Sequence, residues 1–236
     1  MATNLILPVF AFAQTEGAVP TQKGFCSRTS EFTSKIDQRI ADRSAKLEVR
    51  RQEQLNNLET WIDERDAGRA ENRAKWDANR QEHFAKLEAR TTTDAQKQAV
   101  VTFKSAVEAA VASRRAAVNA AVQSFRSGVE QAIASRKTAV DTAVNAFKGS
   151  VSAAIEKAKS SCASGVDQKT IRETFRQEMK SARDKFQSDR QAIEKLKSSF
   201  EPLRVSRKAA IDKAIQDFKA AMEKARADLK AAFGQQ

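Results

Sequence analysis

Two cysteines, a single histidine and four arginines in apolar company are the residues of this chain with the means to do chemistry. Cys26 and Cys162 are its two thiols, and His83 is its one imidazole. Thiols and imidazoles make metal sites or activated nucleophiles when they cluster at short spacing, and no such cluster exists here. His83 stands between Glu82 and Phe84 in a highly charged stretch and reads as a surface side chain. There is no glycine-rich phosphate loop and no G-x-S-x-G elbow. The carboxylates alternate with Lys and Arg at helical spacing, the pattern of i,i+4 pairs on a solvated helix face. No catalytic, cofactor-binding or metal-binding residue is therefore assigned, and the chain reads as non-enzymatic.

The arginines are Arg43, Arg65, Arg114 and Arg136, which helical phase places on apolar stripes where valine or leucine is expected. Either they set register, since a buried arginine needs a carboxylate that only one alignment supplies, or their stems pack and their heads snorkel to water.

The element that must position them is long. Phe103, Phe125 and Phe147 open three consecutive 22-residue copies, the first two identical at 12 of 22 positions. Twenty-two residues are six steps of about 3.67, the period of a nearly straight helix with one continuous apolar stripe (2 × 11). That stripe runs Phe103, Val107, Val111, Val118, Val122, Phe125 and onward to Ile155, skipping at Arg114, Arg136 and Ala158. In the third copy Cys162 stands where Val118 and Val140 stand in the others.

Composition agrees. No proline lies between Pro20 and Pro202, and the chain has seven glycines in 236 residues. Three helices are expected, at about 29–90, 94–163 and 167–233. The first stripe includes Ile36, Ile40, Leu47, Leu58, Ile62, Trp76, Phe84 and Leu87. From Asp63 to Lys75 its only apolar side chains are Ala67, Ala70 and Ala74, so loose packing and local opening are expected there. Thr93 and Gln96 form a capping box for the second helix, Gly165 a left-handed stop after it, and Asp167 a cap for the third. Pro202 predicts a kink or short break at 200–203. Three helices of similar length joined by short breaks fold back on one another. The fold class is all-α: an antiparallel three-helix coiled coil, an up-down-up rod, forming a single elongated bundle over 29–236.

Residues 1–13 end in Ala11-Phe12-Ala13, which resembles an export-signal cleavage site, but Met-Ala-Thr-Asn lacks the usual positive start. The segment reads as a signal-like sequence truncated at its start, followed by a flexible leader over 14–28. Up-down-up topology brings Cys26 and Cys162 to one end, so a disulfide between them is expected in an exported protein. In the chain-entropy account such a long loop closure contributes roughly 4–5 kcal/mol.

The charge is +12, with 29–90 neutral and the excess over 94–236. Basic residues never run beyond two in a row, which fits a solvated mixed face; the alternative is attraction to a polyanion. Tyrosine is absent and the phenylalanines belong to stripes, which argues against specific nucleic-acid recognition. No apolar run is long enough to span a bilayer. The functional expectation is an extracytoplasmic structural or interaction protein, periplasmic, envelope-associated or secreted: a coiled-coil spacer or adaptor of the cell envelope. It would meet a protein partner, or itself, through its helical stripes. The alternatives are an amphipathic-helix binder of anionic lipid surfaces or envelope polymers, and a non-specific binder of polyanions including nucleic acid. Small-angle scattering with light scattering on the oxidised protein tests the architecture. A monomer about 100 Å long is expected from about 1.5 Å per helical residue; about 300 Å, or a stable dimer, overturns it.

Overall fold

The computed structural model describes residues 24–195 and 200–234. Their regular structure is helical throughout: a 3-10 helix, Cys26–Arg28, then α1 (Thr29–Glu88), α2 (Asp94–Ala163), α3 (Gln168–Lys195) and α4 (Phe200–Ala232). The signal-like segment lies outside the described residues.

The helix ends follow local chemistry. The α2 start is the expected capping box: Gln96 N–H donates to Thr93 Oγ1 (3.2 Å), and Gln96 Oε1 accepts from the N–H groups of Thr92 (2.9 Å) and Thr93 (3.4 Å). At its other end Gly165 takes φ +71°, and the N–H of Val166 reaches back to Ser161 O at 3.1 Å, closing the orphan carbonyls as a left-handed cap does. Asp167 then caps α3 by accepting from the N–H of Thr170 at 3.0 Å. The expected third helix is instead two, α3 and α4, on either side of 196–199. Pro202 does not kink a helix interior. It sits in the first turn of α4, where N–H groups have no partner within the helix and proline is tolerated.

The chain forms two compact units. One combines the described part of Met1–Ile62 with Ala139–Ile193; the other combines Asp63–Thr138 with the described part of Glu194–Gln236. The first has a conventional apolar core. Ile36 and Ile40 of α1, Phe147, Val151 and Ile155 of α2, and Ile171, Phe175, Met179 and Phe186 of α3 are all buried in one cluster. Phe147 and Phe186 meet with ring centroids 5.2 Å apart. The end of the expected leader belongs to this core: Phe25 lies 5.6 Å from the Phe175 ring and packs against the cluster.

The second unit buries fewer large side chains. Its buried apolar residues are Phe84, Val100, Val107, Ala110, Ala121, Ala214 and Ala225. Phe84 meets Phe103 edge-on at 6.2 Å.

Eleven-residue spacing organises burial in every helix, because eleven residues close three turns at about 3.67 per turn and return to one line along the helix. On α2 one line carries Val107, Val118, Val129, Val140 and Val151, and a second carries Ala110, Ala121, Ala132, Ala143 and Ala154; all ten are buried or half-buried. On α3 the buried residues Ile171, Ala182 and Ile193 share a line, and on α4 Ala214 and Ala225 do so.

Replacing Phe147, 5% exposed, by alanine removes one ring of the Phe147–Phe186 pair. A loss of about 3–5 kcal/mol is expected for the first unit, read by hydrogen exchange of its amides. Val205→Ala, at a side chain 58% exposed, should change stability by less than about 0.5 kcal/mol.

Candidate functional site

Two local constructions stand out, one in each unit. In the first unit, Cys26 and Cys162 form the expected disulfide, with Cα atoms 5.7 Å apart and 136 residues between them. The 3-10 helix sets Cys26 against the last turn of α2. Thr29 Oγ1 donates to Cys26 O at 2.8 Å, and both cysteines pack on the apolar cluster. Cys162 thus takes the place in the 11-residue valine line that Val151 holds three turns earlier. A shallow groove in the same unit is lined by Thr33, Ser34, Asp37, Gln38, Ala41 and Lys159, with no convergent set of donors.

In the second unit the α1–α2 seam is built from charge. Between Ile62 and Phe84 the inward positions of α1 are Asp66, Arg69, Arg73, Asp77 and Arg80, all half-buried. Asp66 accepts a two-pronged contact from Arg126 of α2 (Nη1 to Oδ2, 2.9 Å) and a further bond from Arg69. One eleven-residue step later, Asp77 accepts from Arg115 of α2 at 2.6 Å and from Arg80. A third step pairs Glu88 with Lys104 at 3.7 Å. Arg126, Arg115 and Lys104 descend by the same interval, so the two helices run antiparallel with every third turn tied by an ion pair. Arg73 adds a bond to Asn119 at 2.8 Å.

The electrostatics follow this geometry. The guanidinium of Arg126, then those around it, hold the Asp66 carboxyl below the usual carboxylate value of 3.8. Arg115 and Arg80 do the same to Asp77. In return Asp66 raises the Arg126 guanidinium.

The four arginines singled out in the sequence separate. Arg136 is 6% exposed, and its Nη2 lies 3.6 Å from Glu194 Oε1, so it is a buried arginine with a carboxylate and does not snorkel. Arg114 is half-buried, its guanidinium 5.0 Å from the Phe218 ring centroid and 5.9 Å from that of Trp76. Arg43 is half-buried in the first unit, and Arg65 is exposed. Trp76, assigned to the apolar stripe, is 57% exposed. Arg65 and Trp76 each stand one residue before the true inward position, which is an aspartate. A search for apolar residues skips it. The signal that finds it is the repeat DAGRAE and DANRQE at 66–71 and 77–82. Ala67, Ala70 and Ala74 are exposed, so the α1 stretch from Asp63 does not pack through its alanines.

Among the described residues no group of three or more His, Cys, Asp or Glu side chains is placed to hold a metal ion. His83 is exposed. Compared with protein-family models, curated proteins and solved structures, the chain matches none.

Acid tests the seam. The folded carboxyls of Asp66 and Asp77 lie below 3.8, so they contribute stability that is present above that value and is lost as pH falls through the folded values. Helix α1 should exchange its amides faster over 63–80 in strong acid, before the core amides of the first unit do. Asp66→Asn with Asp77→Asn should exchange faster already at neutral pH and lose this acid response. An unchanged response in the double variant would refute the assignment.

Proposed function

We propose that this chain is a non-enzymatic structural or interaction protein of an extracytoplasmic compartment, a coiled-coil spacer or adaptor of the cell envelope. The observation that carries the reading is the Cys26–Cys162 disulfide, which closes 136 residues. Bridges of this kind form and persist in oxidising compartments, and reducing cytosol removes them. The repeat supports the same reading. Its eleven-residue lines commit the valines, alanines and phenylalanines of α2 to packing, and the aspartates of α1 to arginines. Among the described residues no helix is long and apolar enough to cross a membrane.

Its stripes are the surfaces that a protein partner or a second copy would meet. The test joins thiol trapping to fractionation in the native host. Both thiols should resist alkylation until reduced, and the chain should partition with the extracytoplasmic or envelope fraction. Chemical crosslinking there should capture it with an envelope protein or with itself. Freely alkylated Cys26 and Cys162 in a cytoplasmic fraction would refute the reading. Retention by anionic vesicles or polyphosphate, in place of a protein, would replace the adaptor with a polyanion binder.

A further inference from the structure

An eleven-residue repeat carries a hazard: a helix that slips by eleven residues meets the same valines and alanines again. On α2 the valine line from Val107 and the alanine line from Ala110 are unchanged by such a slip. One line is different. It reads Phe103, Arg114, Phe125, Arg136 and Phe147, so aromatic and guanidinium alternate at eleven-residue steps and the true period is 22. In the second unit α4 answers with the opposite alternation. Arg114 lies 5.0 Å from the Phe218 centroid, and Arg207 lies 4.2 Å from the Phe125 centroid. A third mark is independent of charge. Leu203 of α4 occupies the space beside Gly128, where an added Cβ would stand 2.6 Å from Leu203 Cδ2.

We propose that the alternation of Phe and Arg along α2, read by Arg207 and Phe218 and keyed by Leu203 beside Gly128, is a register lock that fixes α4 against α2. In the observed register Arg114 and Arg207 each lie over a ring, an attraction of cation for π face, while Arg136 pairs with Glu194. Moving α4 by eleven residues in one direction sets Arg207 against Arg136 and Phe218 against Phe125. Moving it in the other sets Arg207 against Arg114. Both slips bring two guanidiniums together and take Arg207 off its ring. A slip of 22 sets Arg207 against a phenylalanine again but places Leu203 beside Ser150 or Ala106 in place of Gly128, where a side chain stands in its way. Slips of eleven meet Ala139 or Ala117 at that point. This inference does not rest on the compartment or the partner proposed above.

The discriminating variant exchanges one pair, Phe125→Arg with Arg207→Phe. It preserves a cation over a ring in the native register, yet makes the α2 line Arg–Arg–Arg and the α4 line Phe–Phe, so the alternation is gone. Spin labels on non-natural residues at the exposed positions 113 and 219 leave the native disulfide intact. Pulsed dipolar spectroscopy should give one distance for the parent protein. The exchanged variant should add a second, from helices offset along their axis by about 16 Å, eleven residues at about 1.5 Å each. Combining the exchange with Gly128→Ala, which favours helix, should enlarge the second population. A single native distance in both variants, with helicity retained, overturns the lock. If either variant loses helicity, the single change Arg207→Phe serves in its place. It too removes the alternation on α4, and one native distance there likewise overturns the proposal.

Discussion

Eleven residues make three turns of a slightly underwound helix, and this single geometric identity governs which side chains of the described helices are buried. A line of residues eleven apart stays on one edge of a helix without drift. Helices such as α1 and α2, 60 and 70 residues long, can then keep one face turned inward over many turns. A 3.5-residue repeat calls for a left-handed supercoil to hold its seam together, whereas 3.67 calls for one of the opposite hand. The valine and alanine lines of α2 are the outcome. Small and β-branched side chains fill a narrow seam, with Phe at every second step of one line supplying bulk.

The two units solve the problem of a narrow seam differently. The first joins aromatic and aliphatic side chains from three helices and closes the end with a covalent bond. The second replaces hydrophobes on α1 by aspartates, each gripped by two arginines. Arg126 meets Asp66 as a planar fork, so that contact is directional as well as attractive. Half-buried pairs of this kind add little net stability but penalise any alignment that separates them. The second unit therefore gains definition where it lacks apolar bulk.

Much of this was legible from the residues. The end of α2 at Ala163, the capping roles of Thr93, Gln96 and Asp167, and the left-handed Gly165 all follow from local rules that need no tertiary context. The Cys26–Cys162 bridge is legible as well, since folding α2 back along α1 brings the start of one helix to the end of the other. The aspartate positions were missed for a definite reason. Helical phase shows itself through apolar side chains, and in α1 the inward line from Asp66 to Arg80 contains none. Trp76 was drawn into the stripe although it stands one residue off it. The split between α3 and α4 was half seen: Pro202 marks the boundary, but as the opening of a helix, which its fixed φ suits. What Arg114 faces was hidden as well, since Phe218 lies over 100 residues away in the chain.

The bridge between Cys26 and Cys162 also decides how the molecule carries tension. A pull applied through the residues before Cys26 and those after Cys162 passes from one sulfur to the other and never enters the chain between them. Helix α1 and nearly all of α2 lie in that closed loop, off the load path. The 136-residue separation corresponds to about 460 Å of extended chain, at about 3.4 Å per residue, which stays stored until the bond is reduced. Of the long helices, only α3 and α4 are in mechanical series with the ends. With the bond intact the loop between the cysteines is shielded from such a pull; reduction puts α1 and α2 on the load path.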